Sequence, residues 1–389
     1  MTKNKDILLV ARPDHSIQIY RALQKHSELK SYYLTFKVVK DFVKKIIPYK
    51  KLQTVSKDSS IAIIPTFIQV CKKTFCFKFA RNWRTEDFLS PYVRRNLKHT
   101  SYKVIHYWPE YAYSVMNEYI SINKETKILA DMYMPNPAAI LADMEPIYRK
   151  YNLPSLQNSW LAQYGEQIKE HFKYVTDIVV ASSYVRDTMM MTFPDKKYHI
   201  IPYGIPVSPT YSKKSTPDVI NKFIYVGRVS VEKGCDLMLE WFVDNPDNEI
   251  HLYGGLLANQ KEIFEPYWKF DNIHYHGAVS RDVLRKETPK FDAGILLSRF
   301  DAYAMAIGEI IGCGVPVIVS ENTGIKDDVR TNGFGIVTEL NMDSYCKAMN
   351  KMKNISVHRD FCTNIDTYIA SNPVSFGEQV VNLYKSLID

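Results

Sequence analysis

A chain of 389 residues, 46% hydrophobic and 24% charged, is longer than one hydrophobic core usually serves, so two folded domains are expected and a disordered chain is excluded. The start, Met1 to Val10, holds only the short apolar run Ile7–Val10, and no apolar stretch approaches the roughly 20 residues that span a bilayer, so neither a secretory leader nor a membrane span is predicted. The net charge of +8 is uneven: residues 1–205 carry 31 Lys and Arg against 18 Asp and Glu, the remainder 19 against 24, so the first half is expected to meet something anionic, whether a membrane surface, a phosphate-bearing acceptor or nucleic acid.

Strands are predicted at Asp6–Val10, Ile61–Thr66, Val104–His106, Ile128–Ala130 and Ile178–Ala181, then at Phe223–Val226, Glu249–Tyr253, Ala293–Leu297 and Val317–Val319. Several are unbroken Ile/Val/Leu, as in strands buried on both faces of a parallel sheet. Helical spacing falls between them, at Ser16–Lys25, Leu156–Phe172, Gly234–Phe242 and Ala304–Gly312. This alternation predicts an α/β protein with doubly wound sheets. Residues 202–220 are the densest run of Pro, Gly, Ser and Thr and mark a boundary. Apolar residues at 376, 380, 381, 383, 384 and 387 predict a packed terminal helix.

Two segments of the first half are basic. In Lys37–Lys51, apolar residues at 38, 39, 42, 43, 46 and 47 alternate with lysines, and Lys72–Arg81 interleaves cations with aromatics. As a helix the first is a membrane-surface pattern; a solvated helix packing its stripe on the core has the same spacing. The six cysteines form no C-x-x-C pair and no Cys/His cluster at zinc spacing, so reduced, cytosolic thiols are expected.

Chemistry concentrates in the second half. The strand Phe223–Val226 ends at Gly227, where the backbone turns, and Arg228 and Lys233 follow before a helix opening near Gly234. Ligands of α/β sheets bind beyond strand C-termini, and two cations beside a helix N-terminus make a diphosphate clamp; a pair of solvated charges would look alike. Asp301 lies in the loop after strand Ala293–Leu297, and Glu309 follows on a helix otherwise lined by Ala, Met and Ile. A carboxylate in that setting is paired, functional or solvent-facing.

These segments resemble the family-four retaining glycosyltransferases of the GT-B fold. That family carries a G-R-x-x-x-x-K-G loop, a carboxylate pair with seven residues between, and a G-x-P-V strand entry. Here they read Gly227-Arg228 with Lys233-Gly234, Asp301 with Glu309, and Gly314-Val-Pro-Val317. Tyr253-Gly254-Gly255 and His276-Gly277-Ala278-Val279 support the match, which spans roughly residues 175–335. The resemblance implies two Rossmann-like domains facing a cleft. Residues 1–205 would bind acceptor, 206–370 would bind the nucleotide sugar, and 371–389 would return as a helix to the first domain. It implies that Arg228 and Lys233 hold the diphosphate, that Asp301 binds donor-sugar hydroxyls and that Glu309 binds the ribose. Gly227, Gly254, Ala302, Tyr303, Ala304 and Met305 would complete the donor site. The strand segment Val104-Ile-His106 resembles the family's V-x-H, placing His106 across the cleft as a catalytic-site residue. Asp131, at the exit of another strand, is an acceptor-side candidate. The usual Gly-rich loop after the first strand is replaced by Ala11-Arg12-Pro13-Asp14-His15-Ser16, where Arg12 or His15 could serve an acceptor.

Two departures bear on which sugar is accepted: Asp301 stands in place of Glu, and Ala304 in place of a glycine. The chain has no D-x-D, so a metal-independent reaction without enzymatic nucleophile or cofactor is implied, with retention of configuration. The implied substrates are a nucleotide diphosphate sugar and a glycan or lipid-linked acceptor in bacterial surface polysaccharide or lipopolysaccharide assembly, at a cytoplasmic or inner-membrane-surface location. Alternatives are a sugar-nucleotide epimerase, a glycan phosphorylase or a catalytically silent scaffold of the same fold. A basic nucleic-acid-binding protein is a further alternative, though no recognised nucleic-acid module is present and no nucleic-acid partner is expected.

Overall fold

The computed structural model describes residues 3–11, 15–35, 59–61, 85–209, 211 and 217–389. Thirteen strands among them form two sheets, parallel at every pairing. The first sheet holds β1 (Lys3–Val10), β2 (Ser31–Thr35), β3 (Ser59–Ile61), β4 (Thr100–Tyr107), β5 (Lys127–Met132), β6 (Asp177–Val180) and β7 (Lys197–Ile200) in the order 3-2-1-4-5-6-7. The second holds β8 (Lys222–Val226), β9 (Glu249–Tyr253), β10 (Ile273–Gly277), β11 (Ala293–Leu296), β12 (Val317–Ser320) and β13 (Gly335–Thr338) in the order 10-9-8-11-12-13. Parallel pairing forces each connection to cross a face of the sheet, and helices do so.

Strand order reverses between β1 and β4 in the first sheet and between β8 and β11 in the second. At such switch points the flanking connections leave in opposite directions and open a crevice beyond the strand C-termini. Those strand ends deliver most of the chemistry-bearing residues of the candidate site.

Burial on both faces explains the unbroken apolar strands: Ile7 to Val10 of β1 and all of β11 and β12 are buried. The strands that went unpredicted, β2, β7, β10 and β13, lie at or next to sheet edges and mix polar with apolar residues. The strand expected at Ile61–Thr66 is reached only at its first residue, and the basic segments Lys37–Lys51 and Lys72–Arg81 lie outside the described residues.

The helices that position the site are α1 (Ser16–Leu23), α2 (Pro109–Ile122), α3 (Pro137–Lys150), α4 (Ser183–Met190), α5 (Cys235–Asp244), α6 (Arg281–Glu287), α7 (Met305–Ile311), α8 (Lys326–Asn332) and α9 (Phe376–Ile388). Ser375 caps α9, accepting from the Glu378 N–H, the position where a Ser side chain satisfies an otherwise orphaned donor. Phe376, Val380, Val381 and Tyr384 of α9 then enter the core of the first sheet, so the chain ends back on its first domain. Conversely α3, from the first half of the sequence, places Ile140, Met144 and Tyr148 in the core of the second sheet.

Candidate active site

The loop after β8 is held from three sides. Gly254 has φ +152, and a Cβ there would lie 1.7 Å from the Gly227 carbonyl, so only glycine lets the β9 exit cross the β8 exit. Gly254 therefore packs directly on the Gly227 backbone. Gly234 is left-handed at φ +67, and a Cβ on it would meet the Leu297 carbonyl at 1.9 Å. From the third side, Arg299 makes a bidentate pair with Asp236 at 2.7 and 2.8 Å, donates to the Val231 carbonyl, and its backbone N–H bonds Glu232 O at 2.9 Å. Glu232 accepts from Gln260 and from Tyr148 of α3, while Tyr151 bonds Asp236 at 2.9 Å. The first domain thus anchors the loop of the second.

So held, Lys233 reaches Asp301 at 2.5 Å, both side chains about one-fifth exposed. Arg228 is exposed at the same strand end, its carbonyl accepting from the Tyr225 hydroxyl at 2.5 Å. Lys233 and Asp301 thus pair beyond β8 and β11, at the second sheet's switch point, with Arg228 at the end of β8.

The other oxygen of Asp301 accepts backbone N–H bonds from Tyr303 at 3.2 Å and Ala304 at 2.6 Å. Asp301 thereby orders the turn into α7, a task suited to a short carboxylate. Ala304 keeps a left-handed conformation, φ 66 and ψ 60, which costs a non-glycine residue about 1–2 kcal/mol. The departure from glycine changes the side chain and leaves the turn. Tyr303 is buried, its hydroxyl donating to Asp328 at 2.9 Å and accepting from the Gly204 N–H at 3.1 Å; its side chain braces the turn against the interdomain link. Ala302 O accepts from the Ser182 hydroxyl at the head of α4, at 2.8 Å.

Glu309 lies further along α7, paired with Arg281 of α6 at 3.3 Å. It faces a separate small cavity, walled by Val226, Leu284, Ala306 and Ile310. The two carboxylates of the motif therefore serve adjoining compartments.

Between the domains lies a cleft with a cavity of about 400 Å³, with Asp301, Ala302, Tyr303, Ala304 and Met305 on one wall. The opposite wall is His15, Trp108, Glu110, Tyr111, Tyr133 and Tyr203. His15 stacks on Tyr203 at 4.1 Å and 9°. Arg12 lies outside the described residues.

The placement expected for His106 is not what the structure has. Strand β4 continues to Tyr107, so His106 sits inside the sheet and its side chain is fully buried. Its Nδ1 pairs with the Tyr384 hydroxyl of α9 at 2.7 Å, and its ring stacks on Trp108. Burial lowers its pKa to about 3. Asp131 is likewise buried, and burial followed by the nearby Glu110 raises its pKa. Their 3.7 Å separation is too long for a hydrogen bond, and both lie in the core. The cleft receives instead the residues just past the strand ends, Trp108 and Glu110 after β4 and Tyr133 after β5.

Two doubly wound parallel sheets facing a cleft define the GT-B fold, and comparison with solved structures bears this out over the whole chain. Sucrose-phosphate synthase from Thermosynechococcus elongatus superposes with TM-score 0.63 at 15% identity, covering 98% of this chain and 99% of its own. The apo lipopolysaccharide outer core galactosyltransferase WaaB gives TM-score 0.63 at 14% identity, with the same coverages of 98% and 99%. An Anabaena protein in complex with UDP and glucose gives 0.58 at 12%, covering 98% and 99%. No curated protein sequence matches the chain. Residues 209–367, which carry Arg228, Lys233, Asp301 and Glu309, match the family model of the glycosyl transferases group 1.

Proposed function

We propose that the protein is a retaining glycosyltransferase that moves a hexose-type sugar from a nucleotide diphosphate donor, by default a uridine diphosphate sugar, to a glycan or lipid-linked acceptor. The observation that carries this reading is the pairing of Lys233 with Asp301 at the switch point beyond β8 and β11, where Asp301 lines a cleft that an aromatic wall closes on the other side. A nucleotide sugar already carries a good leaving group once its diphosphate charge is stabilised, so positioning and electrostatics suffice. Lys233 would exchange its Asp301 partner for the diphosphate, with Arg228 beside it. The released Asp301 carboxylate would then accept donor-sugar hydroxyls. Glu309, beside the cavity that Arg281 and Arg285 also line, would take the ribose while Val226, Leu284 and Ile310 cover the base. Trp108, Tyr111 and Tyr203 offer flat apolar faces with polar rims, which suit sugar rings.

The departing phosphate itself serves as base in this reading, and no enzymatic nucleophile or metal takes part. Two of the similar structures are of sugar-phosphate or lipopolysaccharide enzymes, and one holds UDP and glucose, which supports the choice of donor and a role in surface polysaccharide assembly. The excess of cations in the first half supports a cytoplasmic enzyme peripherally bound to an anionic membrane, which sedimentation with anionic vesicles at low salt tests.

The decisive experiment offers a panel of nucleotide sugars in excess chelator and follows diphosphate release. Release from one donor, undiminished by chelator and with the anomeric configuration kept in the product, is expected. A strict need for manganese, or epimerised donor without transfer, overturns the reading.

A further inference from the structure

We infer that the outer edge of the second sheet carries a binding site for one borderline transition-metal ion of the zinc class, built by Glu249, His251 and His274. Side chains two apart on a strand share a face, so Glu249 and His251 of β9 project together. The parallel register sets His274 of β10 directly beside His251. Among the described residues, these three form one group whose ligand atoms all lie within 4.8 Å of one another, each partly buried.

The spacing suits a metal better than it suits the groups' own contacts. His251 Nε2 lies 3.5 Å from Glu249 Oε2, beyond a good hydrogen bond. Two ligands at zinc's 2.0–2.1 Å bond length and tetrahedral angle stand about 3.3 Å apart. The other nitrogen of His251, Nδ1, lies 2.9 Å from His276 Nε2. When Nδ1 carries the proton and donates it to His276, Nε2 presents its lone pair beside Glu249. A ligating histidine nearly always has such an outer partner for its second nitrogen. His276 is itself held flat against Tyr253, ring centres 4.5 Å apart, and Phe291 closes the inner side of His251 at 4.9 Å.

Two imidazoles and one carboxylate select zinc, cobalt or nickel over magnesium or calcium, which take oxygen ligands. Three protein ligands leave a fourth position for water. The ion would staple the edge strand β10 to β9. It plays no part on the diphosphate, because the strand ends at Gly254 and Gly277 stand between it and the Arg228 loop. The site is independent of the proposed transfer reaction.

The test is calorimetric titration of the full chain, prepared without a polyhistidine tag, with zinc chloride in a non-coordinating buffer. One equivalent is expected to bind, magnesium chloride to give no heat, and zinc to raise the melting temperature. Glu249→Gln and His274→Ala should each abolish that rise while keeping the far-ultraviolet spectrum of the parent. His276→Phe, which removes the outer partner and no ligand, should weaken binding by about 10–100-fold. Cobalt should give the visible band of a four-coordinate ion in the parent and lose it in His274→Ala. No saturable single-site heat in the parent, or unchanged zinc affinity in His274→Ala, would overturn the site.

Discussion

His106 offers a way to separate a core histidine from a catalytic one by measurement. Its side chain is fully buried, and burial lowers its pKa to about 3 from an ordinary 6.5. In the unfolded chain the same group takes a proton near pH 6.5, so between about pH 6.5 and 3 only the unfolded state is protonated. Stability is therefore full above the unfolded pKa and is lost as pH falls, by about 1.4 kcal/mol per pH unit. From pH 7 to pH 5 the loss due to this one residue is about 2 kcal/mol. The His106→Gln variant cannot titrate and keeps an acceptor for the Tyr384 hydroxyl. Asp131, whose pKa burial moves upward, is present in both proteins and cancels in their difference. Urea unfolding of parent and variant at pH 7 and pH 5 should show the parent losing about 2 kcal/mol more than the variant over that range. Turnover per folded molecule should stay within about twofold, whereas removing a catalytic acid or base costs roughly 100-fold or more. Equal pH slopes together with a hundredfold fall in turnover would refute the burial argument.

Two further substitutions probe the second domain. Asp301→Asn keeps an acceptor for the Tyr303 and Ala304 N–H groups but removes the charge that holds Lys233. It should tighten binding of a free nucleoside diphosphate by about 2–5-fold, the scale of a partly exposed ion pair, while lowering sugar transfer; calorimetry and product assay read the two effects. Arg299→Lys retains the charge but loses the fork that grips Asp236 and the Val231 carbonyl. It should cost about 2 kcal/mol in urea unfolding and raise the donor KM, because the Arg228–Lys233 loop loses its brace.

Legibility in the sequence followed burial. Strands β8, β11 and β12, which deliver the donor-side residues, are apolar because both faces are covered, and their run lengths are readable directly. The loops after them announce themselves by Gly227, Arg228, Lys233 and Asp301. Edge strands were not readable: β10, Ile-His-Tyr-His-Gly, has one exposed face and no apolar run. Strand β4 runs one residue further than the apolar pattern suggests, which keeps His106 inside the sheet and brings Trp108 to the cleft. Of the aromatic wall the sequence offers only His15; Trp108, Tyr133 and Tyr203 join it only through the convergence of strand ends and the link. The turn that Asp301 orders before α7 is signalled by a carboxylate three residues ahead of the helical stretch Ala304–Gly312.

The cations after β8 are central to the proposed function, because they are the groups assigned to grip a pyrophosphate. Titrating the parent and the Arg228→Ala/Lys233→Ala double variant with uridine diphosphate measures this without any need for the acceptor. Removing two charge-assisted hydrogen bonds to the diphosphate should weaken binding by at least about 3 kcal/mol, roughly 100-fold. A double variant that still folds and binds within twofold of the parent would contradict the account.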